Sequence, residues 1–571
     1  MKRTWGLILL AVFIAFVVII TYVAFRGFEI TDEGFYLLMY EKPWLYNSTS
    51  RYFIIVSKLF GWMNPQIYHY RLLTIIINLL GSYVFFTGLW QYLKNKFDLT
   101  SGLWSKLSAY LFISIGNLAA IFILFRVLGY NDINNFLVLS ATGFILLYLG
   151  GARSFFLLLA GVLLAFDVMV KFPTGIVYLF LLNIFLFLER KTFEYCKLLF
   201  PGILLGLVAY FTFFESPGFF LSSLSSALSK SAGSSHSLKI ILDNYSYFII
   251  MAAKSLFKYF SIPLLVFIIT LISYRIKKYK YTYILGFFTF YLFITAFLSS
   301  MVFAPLSSEG NIHVAMPAFL LLVLFQLIFF LFTKKNYAHK QQLVYIVSFL
   351  MLLPFIMAFG SGAPITMMTY LHMAPIFAVF FVLNLLSEAP NFYIKITNIF
   401  FSSIFIILCI SHLYFLYIQN PFRLNDDLTA QKYSVENVKK LEHLKVDKET
   451  KIFLENLNDL MKKAEFKQND YLIGYLMPGI VYIFDGVSPG ATYYDPHEGS
   501  KNKNIQALMN SSDILNKTYF LLPEDCKLDI CEYIEEKEVL KNHEIVGKVE
   551  NPYKPNVLFV PNSPLILYKP R

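Results

Sequence analysis

Residues 5–36 decide how the rest of the chain is read. Trp5-Gly-Leu-Ile-Leu-Leu-Ala-Val-Phe-Ile-Ala-Phe-Val-Val-Ile-Ile-Thr-Tyr-Val-Ala24 is an unbroken apolar run, and Phe25-Arg-Gly-Phe-Glu-Ile-Thr-Asp-Glu-Gly-Phe-Tyr36 follows it. About 20 apolar residues suffice to cross a hydrocarbon core as a helix. Lys2 and Arg3 precede the run, and no small-x-small cleavage site follows it before Arg26. It therefore reads as an anchor with its N-terminus inside, not as a cleaved signal peptide. Asp32 and Glu33 then stand where the chain first leaves the membrane.

Composition extends this reading to the whole chain. Of 571 residues, 57% are hydrophobic and only 15% charged, the profile of a polytopic membrane protein. Residues 1–419 carry 28 Lys and Arg against 13 Asp and Glu, whereas 420–571 carry 20 against 23. The basic excess sits in short connections between apolar runs, so it reports topology and contact with lipid head groups; nucleic acid is not an expected partner. Twelve further apolar runs lie between about residues 72 and 418, giving about thirteen expected transmembrane helices. One pair, 155–171 and 173–188, is broken at Lys171-Phe-Pro173. The inner connections hold Lys94, Lys96, Arg153, Arg190, Lys191 and Lys197, while 301–312 and 360–369 hold no Lys or Arg. An odd number of spans carries the C-terminal region to the side of the Asp32-Glu33 loop.

The fold expected is thus a polytopic α-helical membrane protein. A transmembrane domain over 1–419, with a long first outer loop at 26–71, precedes an extracytoplasmic soluble α/β domain over 420–571. Within the first loop, Tyr52–Trp62 reads as an amphipathic segment at the interface. Residues 215–254 form a second, Ser-rich outer loop, a flap or a spacer. In the C-terminal domain, Tyr433–Lys467 reads as largely helical. Tyr471–Tyr475, Ile480–Phe484, Tyr519–Leu522, Val557–Val560 and Leu565–Tyr568 read as strands. Cys196 and Cys409 are isolated; Cys526 and Cys531 are close enough in sequence for a local disulfide.

Several polar groups are expected to converge at the outer face. Asp32 and Glu33 come from the first loop. Arg71 opens the second span, Asp132 sits in the turn before the fourth, and Lys171 ends the fifth. Glu309, His313 and His372 come from later turns. Each has a structural alternative. Asp32 can cap a helix beginning at Gly34; Lys171 can pair with Asp167 one turn back; Arg71 can snorkel to head groups. Asp132 fits turn chemistry alone, and the histidines can be satisfied interface residues.

The Asp-Glu pair in the first loop, its Tyr-rich start including Tyr36, and Asn64-Pro followed by Arg71-Leu-Leu together resemble the GT-C superfamily. Its members are glycosyltransferases that use polyprenyl-phosphate sugars. The nearest likeness is to the protein O-mannosyltransferases and the lipid A aminoarabinose transferases. The resemblance covers about residues 1–420 and implies an acid in the first loop as catalytic base, carried onto Asp32 with Glu33 beside it, and a second acid at Asp132. It implies a loose match of Val170-Lys-Phe-Pro173 to a lysine-bearing element, and of His313 with Pro317 to a late basic element. Arg71, Lys171, His313, His372, Glu309 and Tyr36 are then expected to bind substrate. The partners implied are a polyprenyl-phosphate-linked sugar donor, membrane lipid, and a glycan, lipid or protein acceptor in the cell envelope. No Asp-x-Asp occurs, so no cofactor is required, with a divalent metal left open. Two other readings remain at this point: a ligase or polymerase moving lipid-linked glycans en bloc, and a transporter or flippase.

Overall fold

The computed structural model describes the chain apart from residues 1, 47–49, 100–101, 122–126, 191, 224–237, 277–278, 304–307, 334–338, 361–364, 387–398, 400–401, 405, 412, 493, 495–500, 526–528 and 554–562; the side chains of 2, 120–121, 238–241, 244, 248, 252, 255, 279–280, 283, 290, 297–317, 329, 332–333, 366–367, 415–417, 501–503 and 529 also lie outside it. The chain is mostly helical, with a small mixed sheet near its C-terminus. Seven described helices are long and apolar enough to cross a membrane: 3–23, 67–96, 130–149, 172–190, 196–213, 256–275 and 340–358. That is the pattern of a multi-pass membrane protein. Shorter apolar helices, Phe155–Val170 and Ala374–Leu386 among them, pack with these.

The bundle begins with α1 (Lys2–Val23), whose Leu7, Ile8, Ile14 and Val18 face outward. An apolar outer face suits lipid, because only backbone groups satisfied within the helix can cross hydrocarbon. The first loop is not extended chain. It folds into α2 (Asp32–Glu41) and α3 (Tyr52–Phe60), the latter burying its first five residues. Then come α4 (Ile67–Lys96), α5 (Leu103–Ile121), α6 (Tyr130–Leu149), α7 (Phe155–Val170), α8 (Phe172–Arg190) and α9 (Cys196–Phe213). Helices α4 and α6 touch backbone to backbone: a Cβ on Gly88 would lie 1.9 Å from the Gly143 carbonyl oxygen. Small residues at such crossings bring membrane helices into van der Waals contact. At one end of the bundle, Lys96 lies 3.7 Å from Glu189 and Arg190 stacks on Tyr148. Asp32, Glu33, Arg71, Asp132, Lys171 and His372 lie at the other end.

Four expectations change. The second long loop is shorter than 215–254, because the helix Leu238–Arg275 starts well before residue 254; its Ser-rich part lies outside the described residues. Within 433–467 only Lys448–Lys463 is α-helical, preceded by a two-residue ladder pairing Tyr433–Ser434 with Lys445–Val446. Ile480–Phe484 is no strand: Pro478 opens a helix over Pro478–Ile483 that is buried throughout. A five-residue apolar run has no period by which to tell the two apart. The strand His543–Val549, not expected, completes the sheet, and 557–560 lies outside the described residues. The sheet order is 471–474, 518–523, 565–570, 543–549, with the first pair parallel and the others antiparallel. Cys531 is disulfide-bonded, while Cys196 and Cys409 are free; Cys526 lies outside the described residues.

Two hydrophobic cores result. One fills the bundle. The other joins Phe28, Ile30 and Tyr36–Tyr40 of the first loop to the sheet and helices of the C-terminal region.

Candidate functional site

The chain leaving α1 turns back on itself and is held by Arg71, on the second turn of α4. All five N–H groups of that guanidinium are used. Nε donates to Glu33 Oε1 (2.8 Å), Nη2 to Glu33 Oε2 (2.7 Å) and the Gly27 carbonyl (2.8 Å), and Nη1 to the Ala24 and Arg26 carbonyls (2.8 and 3.0 Å). Both side chains are fully buried. A planar fork meeting a carboxylate bidentately is the strongest ion-pair geometry available. Arg71 has no N–H left for a phosphate here, and Glu33 is committed to the same clamp. The two act on the site by fixing the start of α2.

Asp32, one residue earlier, is placed differently. It is the first residue of α2, after an N-cap Thr31 that makes no side-chain cap bond. Its side chain is 33% exposed, and Oδ2 lies 3.1 Å from Nη1 of Arg423. The same nitrogen donates to Thr31 Oγ1 at 2.8 Å. Thr31 in turn donates its backbone N–H (2.7 Å) and its hydroxyl to Glu29 Oε1. Glu29 Oε2 accepts from the Glu33 N–H at 2.6 Å. Burial, reinforced by the charge of Asp32, pushes the Glu29 carboxyl up to about 7. Three acids over five residues therefore share two arginines, and Arg423 serves the exposed side.

The C-terminal region closes over this turn. The Gly479 N–H donates to the Ile30 carbonyl at 2.8 Å. A Cβ on Gly34 would come within 2.3 Å of Gly479 backbone atoms, so neither glycine tolerates a side chain without movement. Gly27 N–H donates to the Lys445 carbonyl at 2.6 Å and Lys445 N–H to the Phe25 carbonyl at 2.9 Å. Lys440 Nζ bridges Glu41 Oε1 (2.7 Å) and Asp485 Oδ1 (2.6 Å).

From Asp32 a line of aromatic rings runs toward the bundle. Tyr36 lies one helical turn on, its ring 5.6 Å from that of Tyr52, which is 5.9 Å from that of Tyr130. Burial raises the phenol pKa values of Tyr36, Tyr40 and Tyr52 well above their ordinary value, so these rings stay neutral donors. Lys171 Nζ sits 5.6 Å from the Tyr130 ring centroid, within cation–π range. It donates to Asn131 Oδ1 (3.3 Å) and to the Met357 carbonyl. Asp167, the alternative partner, accepts from Asn134 Nδ2 at 2.6 Å and still interacts with Lys171 through charge, without a direct ion-pair contact among the described residues. Lys171 is 7% exposed, and the acceptors within hydrogen-bond distance of its ammonium are neutral.

Asp132 is the third residue of α6. Its Oδ2 accepts from the Gly129 N–H (2.7 Å), closing the helix start, and its Oδ1 from Asn78 Nδ2 (3.3 Å). Behind it a buried amide network passes between helices: Asn135 Nδ2 donates to Asn78 Oδ1 (2.7 Å) and Asn117 Oδ1 (2.8 Å), and Asn117 Nδ2 to Ser82 Oγ (2.8 Å). His372 is fully buried in the turn before Ala374–Leu386, with Nδ1 3.5 Å from Asn135 Oδ1 and Nε2 without a hydrogen-bond partner. His313 and Glu309 are on the helix Ser308–Thr333, but their side chains lie outside the described residues.

The bundle end thus unites Asp32, Tyr36 and Lys171 along one aromatic wall, with Asp132 and His372 on the amide network beside it. Arg423, Glu29, Tyr130 and Asn131 were not anticipated. Asn78 and Asn117 carried a readable signal, since an amide inside an apolar run needs partners. Arg423 carried none, lying 392 residues from Thr31. Among the described residues no three His, Cys, Asp or Glu side chains gather as a metal site. No protein-family model matches the chain, and no curated protein matches it either.

Proposed function

We propose that the chain is an inverting glycosyltransferase of the GT-C type, with about thirteen spans. In this reading it moves one sugar from a polyprenyl-phosphate donor to an extracytoplasmic acceptor. The observation that carries the reading is the pairing of opposite charges along one aromatic wall. A partly exposed carboxylate, Asp32, stands at one end, and the buried Lys171, hydrogen-bonded to Asn131 and to the Met357 carbonyl, stands at the other. Of the rings between them, Tyr36 and Tyr52 are buried and Tyr130 is partly exposed, so Tyr130 is the ring that offers a face to a sugar.

The chemistry needs little more. The acceptor hydroxyl gives its proton to the Asp32 carboxylate as its oxygen bonds to the anomeric carbon. The bond from that carbon to the phosphate oxygen breaks, and the phosphate leaves with the electron pair. One base and direct attack on the opposite face invert the anomeric centre. General-base help is worth about 10²–10⁴-fold, and a cation beside the leaving phosphate, in a site poor in water, adds electrostatic stabilisation. Lys171 supplies that cation; Arg71 supplies the geometry of the loop. Asp132 and His372 support the floor through the amide network.

The test is Asp32→Asn in proteoliposomes given a polyprenyl-phosphate sugar. Turnover should fall by about 10²-fold or more, while the variant keeps the thermal unfolding profile of the parent. Undiminished turnover by the folded variant removes Asp32 as the base and the reading with it.

A further inference from the structure

Arg423 is the unanticipated residue closest to the reactive carboxylate. It follows the last helical turn of the bundle, Leu413–Gln419, by four residues. Its side chain is 20% exposed, so a ligand can reach it. Its backbone has φ +49°, the left-handed region, which a long unbranched side chain adopts only when its surroundings impose it. Backbone held this way gathers at ligand clamps and switches. Here it brings one guanidinium nitrogen onto Asp32 Oδ2 (3.1 Å) and Thr31 Oγ1 (2.8 Å).

Resting on the transferase reading above, we propose that Arg423 binds the phosphate of the lipid-linked donor, and that its pairing with Asp32 is a donor-free latch which the phosphate opens. The argument is one of competition. Arg71 already neutralises Glu33. Arg423 is left facing Asp32 and the buried Glu29 behind Thr31, a carboxylate-rich setting that holds it in place. A phosphate presents several oxygens to the guanidinium fork and matches it bidentately, so it competes with the Asp32 carboxylate for Arg423. When the fork swings to the phosphate, Asp32 loses its positive neighbour. Release of Asp32 from Arg423 is thereby tied to donor binding, so the carboxylate turns to the acceptor hydroxyl only once the donor is in place. No bond is made or broken in this step; one ion pair replaces another. The latch would also keep Asp32 from acting on water while the site is empty.

The experiment measures binding of a polyprenyl monophosphate, not turnover, by the full-length protein in nanodiscs of zwitterionic lipid. Arg423→Gln should weaken binding about tenfold or more, the worth of a charge-assisted contact, and Arg423→Lys should recover part of it. Asp32→Asn should tighten binding by about threefold or more, because it removes the competitor for Arg423. A purely structural tie between the loop and the C-terminal region predicts the opposite for Asp32→Asn: unchanged or weaker binding. That result, or Arg423→Gln binding as the parent does, overturns the proposal. The Asp32→Asn arm decides the matter even if the Arg423 variants fail to fold. Binding by the parent with no response in the variants refutes the latch alone. A folded parent that binds no polyprenyl phosphate refutes the transferase reading, and the latch falls with it.

Discussion

Glu33 and Asp32 are neighbours in the chain, and each meets an arginine, yet the two pairs are opposites. The Glu33–Arg71 pair is fully buried, bidentate and saturated with carbonyl acceptors. The Asp32–Arg423 pair is 33% and 20% exposed, with Arg423 Nη1 3.1 Å from Asp32 Oδ2. The difference teaches that burial, more than residue type or position, decides whether a carboxylate is locked into the scaffold or left at a solvent-accessible edge. A charge taken wholly out of water must be matched on every side to be tolerated; one at the edge keeps the freedom to exchange partners. The largest expected effect follows. Truncating either side of the buried pair, as in Arg71→Ala, leaves a charge unpaired and should cost about 3–5 kcal/mol. Arg71→Lys should recover little, because an ammonium cannot serve five acceptors in a plane. Thermal unfolding of the detergent-solubilised protein checks both; a loss near zero would break the comparison at its root.

The next effect tests whether the C-terminal region completes the site or merely covers it. Gly34→Ala drives a methyl to about the 2.3 Å separation found between its ideal Cβ and the Gly479 backbone. Relief requires α2 and the Pro478–Ile483 helix to part, at about 1–3 kcal/mol for an overpacked contact. Limited proteolysis should then cut the C-terminal region faster. Gly34→Ala should also reduce activity through the displaced Asp32, whereas Gly102→Ala, with nothing near its Cβ, should be silent.

Glu29 sharpens the same contrast through pH. Its folded-state carboxyl is raised from 4.5 to about 7, burial being the main cause. Between those values the folded chain keeps a proton that the unfolded chain has released. Stability should therefore fall as pH rises from about 4.5 to about 7, by at most about 1.4 kcal/mol per pH unit from this group. Unfolding midpoints measured across that window should slope downward in the parent and flatten in Glu29→Gln. An unaltered slope would reassign the effect to other groups.

How much of this could be read from the chain depends on whether a signal is local. The apolar helices were legible, because crossing a membrane demands a run of fixed length. So was Asp32 as a candidate, since acids are scarce in the first 419 residues, 13 in all. The break at Lys171 was legible from Phe-Pro beside it. Partnership was not. Nothing local tells that Arg71 turns inward to Glu33, 38 residues earlier; an arginine opening a span looks the same when it faces lipid phosphates. Arg423, in Pro421-Phe422-Arg423, could be matched to Asp32 only by knowing that the C-terminal region folds back on the first loop. That return is driven by a shared core, in which Ile30 and Tyr36 pack with Ile480 and Tyr482, and such pairing leaves no period in either segment.

The smallest stability effect belongs to the residue with the greatest expected consequence for turnover. A partly exposed ion pair contributes about 0–1 kcal/mol, because solvent screens it and two side chains must be held still. Asp32→Asn should therefore move the unfolding midpoint little, and the double variant Asp32→Asn/Arg423→Gln little more than either single change. The Glu33 and Arg71 changes should be strongly coupled, since each alone strands a buried charge and the second removes it. A double-mutant cycle run on both pairs by thermal unfolding compares them directly. A coupling in the Asp32–Arg423 cycle as large as that in the Glu33–Arg71 cycle would mean that both pairs are scaffold, and Asp32 would lose the freedom that a base requires.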